Sequence, residues 1–144
     1  MNEENEQMNE TTVNETTVNE TAQNTADNYR CICTLDDSTF EGKRAIVNAR
    51  NSALSLNERG AESLTIVGAY IVPGVRSQTG QKCANVYLFE KNGSTYFSQS
   101  QGIYRSVLDI YDMFPDFNAP DGITVAVKQT PLSGKRFTKS LEIK

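Results

Sequence analysis

The chain contains no histidine, and its three cysteines are Cys31, Cys33 and Cys83. Without histidine the commonest general base is missing, and no Ser-His, Cys-His or zinc-hydrolase constellation can be assembled, so no enzyme activity is expected. Cys31 and Cys33 lie too close for a relaxed bridge and Cys83 is then left odd, which excludes a disulfide framework. A zinc site wants four ligands, and three thiols with no imidazole fall short of it, so neither metal nor cofactor is expected. No apolar run is long enough to span a membrane, and the acidic start lacks both the basic and the apolar part of a signal peptide. The expectation is a cytoplasmic chain with reduced thiols. The Asn-x-Ser/Thr sequons at Asn9, Asn14, Asn19 and Asn92 would then carry no sugar, because glycosylation acts on secreted chains.

Residues 1–28 lack aromatics, lysine and arginine altogether. Such a segment has too little to bury to offset the entropy of ordering, and its "NETTVNETTVNETAQ" repeat has a five-residue period that fits neither helix nor strand. It reads as a disordered acidic low-complexity tail, followed by one domain at 29–144. The tail holds seven of the 18 acidic residues and none of the 14 basic ones, so the remainder carries 14 basic against 11 acidic groups, a net +3. Between Gly42 and Arg105 eight cations, Lys43, Arg44, Arg50, Arg59, Arg76, Lys82, Lys91 and Arg105, face only Glu58, Glu62 and Glu90. That bias suits a surface turned toward a polyanion.

The aromatics gather instead in "VYLFEKNGSTYFS", Val86 to Ser98. Asn92-Gly93 predicts a hairpin with a two-residue type I′ turn, since both residues tolerate positive φ. In that register Phe89 faces Tyr96 and Leu88 faces Phe97. One side of the hairpin then presents Asn85, Tyr87, Phe89, Lys91, Tyr96 and Ser98, and the other, Ala84, Val86, Leu88 and Phe97, is core. Flat rings interleaved with polar groups and a cation suit the stacking of unpaired bases. The plainer alternative is two buried faces, one covered by a helix.

Around the hairpin, "GKRAIVNAR" alternates Ala45, Val47 and Ala49 with Arg44, Asn48 and Arg50 and reads as a strand, with a loop over 51–61. "ESLTIVGAYIV" is a longer strand stopped at Pro73-Gly74. In "SQGIYRSVLDIYDMF" the spacing of Ile103, Val107, Ile110, Tyr111 and Phe114 predicts a helix capped by Ser100 and stopped by Pro115. "GITVAVKQT" and "KRFTKSLEI" are two closing strands joined through "PLSGK". The result is a mostly β chain with one helix, in the element order of an OB-fold-like five-stranded Greek-key barrel, whose second and third strands and two flanking loops hold oligonucleotides. The loops fall at 50–61, with Arg50 and Arg59, and at 131–135, beside Lys135 and Arg136. The candidate nucleic-acid-binding residues read this way are Arg44, Asn48, Arg50, Arg76, Lys82, Tyr87, Phe89, Lys91, Tyr96, Lys135 and Arg136.

Four stretches, "EGKRAIVNA" at 41–49, "GAYI" at 68–71, "NGSTYFS" at 92–98 and the closing "SGKRFTKSLEI", in that order and spacing, resemble the single-stranded DNA-binding proteins of Bacillus-type phages that replicate linear DNA by protein priming. The resemblance implies a barrel that coats displaced single strands without strong sequence preference, in the cytoplasm of a host cell, with Tyr70 and Tyr96 placed at the DNA. The acidic N-terminal tail departs from that pattern and is a candidate contact for replication proteins.

Two other readings have weaker support. Asp109, Asp112 and Asp116 in "DIYDMFPD" could hold Mg²⁺ for a nuclease, but they lie on the polar side of a helix end and read as solvated. "GVRSQTGQK" lacks the spacing and the strand-to-helix context of a phosphate loop. The serious rival is a protein-binding accessory barrel of a phage or mobile element, using the same aromatic face as a hot spot.

Overall fold

The computed structural model describes residues 29–56, 63–131, 134 and 137–144. The acidic tail, Arg59, Lys135 and Arg136 lie outside the described residues. In chain order the elements are β1 (Ile32–Cys33), α1 (Phe40–Ser52), β2 (Leu54–Ser55), β3 (Ser63–Val75), β4 (Lys82–Glu90), β5 (Thr95–Ser98), α2 (Gln101–Met113), β6 (Ile123–Pro131) and β7 (Phe137–Ile143). The strands form one curled sheet, a half-barrel, in the order β2-β5-β4-β3-β6-β7, with β1 pairing on β3.

The long strand β3 makes the curl. Its first residues, Ser63 to Ile66, pair with β6, and from Ile66 onward it pairs with β4. The register slips between Ile66 and Gly68, and a bulge of this kind bends a strand and increases its twist. Gly68 also makes room for the segment after β1, since a Cβ there would come within 2.7 Å of the Thr34 hydroxyl. That hydroxyl accepts from the Ala69 N–H at 3.0 Å, and the Thr34 N–H donates to the Ala69 carbonyl at 3.0 Å.

Helix α2 forms where the apolar stripe predicts it, with the Ser100 hydroxyl accepting from the Ile103 N–H. It buries Ile103, Tyr104, Val107 and Ile110 against Leu64, Ile66, Ile71, Val86, Leu88, Val125 and Val127 on one face of the sheet. It also covers the outer edge of β7. The Leu141 N–H donates to the Ser106 hydroxyl at 3.0 Å, and Gly102 lies so close that a Cβ would fall 1.8 Å from the Lys139 carbonyl oxygen. Capping a sheet edge this way removes a template for unwanted pairing. Gly102→Ala should push helix and strand apart and destabilise the fold by about 1 to 3 kcal/mol, the usual cost of overpacking, measured by urea denaturation. An unchanged midpoint would show that the contact yields freely.

Two expectations are corrected. The stretch read as a first strand is helix α1, so there are two helices rather than one, and the helix runs through Ser52 before β2 interrupts the expected loop. Ala45 and Ala49 satisfy a period of two but equally stand one helical turn apart, and these two alanines pack on the sheet while Val47 points outward, 56% exposed. The Thr39 hydroxyl caps the helix by accepting from the Gly42 N–H at 3.0 Å, and Glu41 and Arg50 at its two ends suit its dipole. The second correction is the hairpin register. Gly93 alone takes positive φ, +97°, and closes a three-residue loop over 91–93 in which the Glu90 N–H donates to the Ser94 carbonyl. Asn92 uses its side chain to accept from the Ser94 N–H at 2.9 Å. The added loop residue pairs Tyr96 with Leu88 and Phe97 with Tyr87.

Candidate functional site

A one-residue shift exchanges the two faces of β5. Tyr96 turns into the core beneath α2, 7% exposed, and leaves the set of candidate binding residues; Phe97 takes its place. Phe97 completes a row of directly opposed residues across five strands. Cys33 on β1 faces Tyr70 on β3, Tyr70 faces Tyr87 on β4, Tyr87 faces Phe97 on β5, and Phe97 faces Ser55 on β2. The three rings touch in sequence. Tyr70 and Tyr87 have centroids 5.8 Å apart at 33°, and Tyr87 and Phe97 have centroids 5.2 Å apart at 45°. Tyr87 is the buried middle member, while Tyr70 and Phe97 are half-buried and keep ring surface open.

Helix α1 lies across the same face of the sheet and decides which aromatics remain accessible. Its Ala45 and Ala49 pack with Phe89 and Tyr87 in a second small core that also includes Leu35, Val67 and Val72. Phe89 is consequently shut under the helix and offers no stacking surface. At the C-terminal end of α1 the cover stops, leaving a cleft of about 150 Å³ lined by Ala49, Arg50, Asn51, Ala53, Tyr87 and Phe97. Arg50 thus stands at the row.

Burial pushes the Tyr87 phenol above the usual tyrosine value; the Arg50 guanidinium works against that shift and Tyr70 adds to it. A folded-state value raised above the unfolded one means that this contribution to stability is complete below the unfolded tyrosine pKa, ~10, and is lost as pH rises through the folded value. Tyr87→Phe should therefore flatten the loss of stability in the window above about pH 10. Denaturation midpoints across that window test it, and identical slopes for the two proteins would sink it.

Arg76 is held at the other side of the row by a relay of hydrogen bonds. Its Nη2 donates to the Gln99 carbonyl at 2.9 Å, and the Gln99 amide donates to Asn85 Oδ1 at 2.8 Å and to the Val75 carbonyl at 3.3 Å. Asn85 can lie across β3 only because residue 74 is glycine, where a Cβ would sit 2.2 Å from Asn85 Oδ1. The turn at 76–81 is closed by the Arg76 N–H on the Gln81 carbonyl and by Gly80 at φ +73°.

The remaining candidates are dispersed. Arg44 and Asn48 line a separate cavity of about 420 Å³ with Phe89, Glu41 and Glu90, and the Arg44 guanidinium is engaged by Glu41. Lys91 sits exposed at the hairpin tip, with its N–H on the Thr65 carbonyl. Lys82 starts β4 and, by strand alternation, belongs to the face opposite Tyr87. Of the twelve candidates, the structure brings together Arg50, Tyr70, Arg76 and Tyr87, and adds Phe97. The thiols of Cys31, Cys33 and Cys83 are free, each pushed up by burial. Asp112 is paired with Arg30 at 2.9 Å, and Arg30 lies over the Tyr111 ring. Among the described residues no group of three or more potential metal ligands gathers, and no helix is long and apolar enough to cross a membrane.

No family model, curated protein or solved structure matches this chain.

Proposed function

We propose that this chain is a single-stranded DNA-binding protein on an OB-fold-like barrel, coating displaced strands during phage-type replication in the host cytoplasm without strong sequence preference. The observation that carries the reading is the row Tyr70, Tyr87 and Phe97, three rings in contact across adjacent strands with Arg50 and Arg76 beside them. Rings supply stacking surface to any base and guanidinium groups supply contacts to any phosphate, so the combination is tolerant of sequence.

The topology supports the barrel. Counting β3 as the first strand, it pairs with both the second (β4) and the fourth (β6), and α2 lies between the third (β5) and the fourth, as in an OB-fold. The second and third strands, which hold oligonucleotides in such barrels, are then the strands that carry Tyr87 and Phe97. On this count the loop after the first strand is 76–81, with Arg76, rather than 50–61.

Fluorescence anisotropy with labelled oligo-dT, against duplex of equal length, tests the proposal. Binding should prefer the single strand. If about four phosphates are neutralised, log K should fall with log salt at a slope near −3, from ~0.7 per phosphate on single strands. Equal affinity for duplex overturns the reading, and a response indifferent to salt assigns the face to a protein partner instead.

A further inference from the structure

The row does not end in open solvent at β5. Phe97 and its register partner Ser55 are its last members, and both also line a cavity of about 470 Å³ enclosed by β5, the first residues of α2 and the start of β7. Arg76 and Lys139 line that cavity, and so does Phe137, whose ring is 58% exposed. Among the described residues lining it there is no carboxylate. The cavity at the other end of α1, by contrast, contains Glu41 and Glu90. Among the described residues, a polyanion leaving the aromatic row thus meets Glu41 and Glu90 beside Arg44 in one direction and Arg76 and Lys139 in the other, and the Coulomb terms favour the second.

We infer that this cavity is a further nucleotide subsite, continuous with the row, in which Phe137 stacks a base and Arg76 and Lys139 meet its backbone phosphates. The inference rests on the single-stranded DNA reading and extends it to a path: the strand crosses β3, β4 and β5 over the rings, passes Phe97 and enters between β7 and α2. The Arg76 bond to the Gln99 carbonyl uses one guanidinium N–H and leaves others for a phosphate. At the far wall Gly102 brings α2 close against the Lys139 carbonyl, so that part of the lining is backbone. A ring more than half exposed loses little when removed from the free protein, so Phe137 can be tested without unfolding the domain.

The test is affinity as a function of oligo-dT length, with Phe137→Ala, Lys139→Gln and Tyr70→Ala, each checked by its melting curve. Barrels of this type occupy about 4 to 16 nucleotides. On an oligonucleotide of about 4 nucleotides, enough for the row alone, Phe137→Ala should bind like the parent; on one of about 12 it should bind roughly 5- to 100-fold more weakly. Lys139→Gln should lower the salt slope by ~0.7 on the longer strand only. Tyr70→Ala should weaken both lengths. If Tyr70→Ala weakens binding while Phe137→Ala and Lys139→Gln match the parent at both lengths, the subsite is overturned and the reading of the row stands. Equal losses at both lengths for Phe137→Ala also overturn the subsite. If none of the three variants changes affinity, the single-stranded DNA reading itself falls.

Discussion

Tyr96→Ala is expected to cost about 3 to 5 kcal/mol of folding stability, the range for removing a large aromatic from a core, while Phe97→Ala, one residue on, should leave most of the stability in place. The two side chains are neighbours in sequence and opposites in environment. Tyr96 is buried among Leu88, Ile103, Val107 and the other residues beneath α2, so truncation leaves a cavity that the rigid sheet cannot collapse around. Phe97 is half-buried on the outer face, touching Tyr87 on one side and open on the other. Urea denaturation of both variants decides the matter. If Phe97→Ala is the more destabilised protein, the hairpin loop is two residues long and the faces of β5 are exchanged.

That pair also shows what can and cannot be read from the sequence. Asn92-Gly93 announces the hairpin, and the run from Val86 announces its strands. The register depends on whether the loop holds two residues or three, and both loops accept a glycine at the positive-φ position. Nothing local separates them, because the choice is made by which face of β5 has partners across the sheet. Helix α1 was hidden for a related reason. Ala45 and Ala49 fit both periods, and the contrast between the small packed alanines and the exposed Val47 arises only when the helix meets Phe89 and Tyr87. The Thr39 cap was the one available signal of a helix start. By contrast the bounds of α2 were legible, since its stripe, cap and terminal proline agree, although Phe114 falls outside it as the C-cap and the buried Tyr104 stands off the expected stripe. Tyr87 could be assigned to an aromatic face from strand alternation, while Tyr70 was singled out only through the family resemblance. Their alignment into a row with Phe97 is a property of three registers at once and belongs to the tertiary structure.

The row itself makes the strongest statement about binding. Replacing Tyr70 and Phe97 together by alanine should weaken binding to long oligo-dT by about 2 to 6 kcal/mol, taking 1 to 3 kcal/mol for each stacking ring. The lower part of that range is the better expectation, because both rings contact Tyr87 and substitutions that share a partner do not add independently. Both residues keep open surface in the free protein, so their removal should alter affinity far more than it alters the melting temperature. The salt slope should stay near that of the parent, since neither side chain carries charge, whereas Arg50→Gln should lower the slope by ~0.7 with a smaller loss of affinity. This split between slope and affinity separates stacking from phosphate contact. A double variant that binds as tightly as the parent, with Arg50→Gln equally silent, would remove nucleic acid from this face altogether; one that loses affinity in proportion to its melting temperature would make the row a structural feature of the curled sheet.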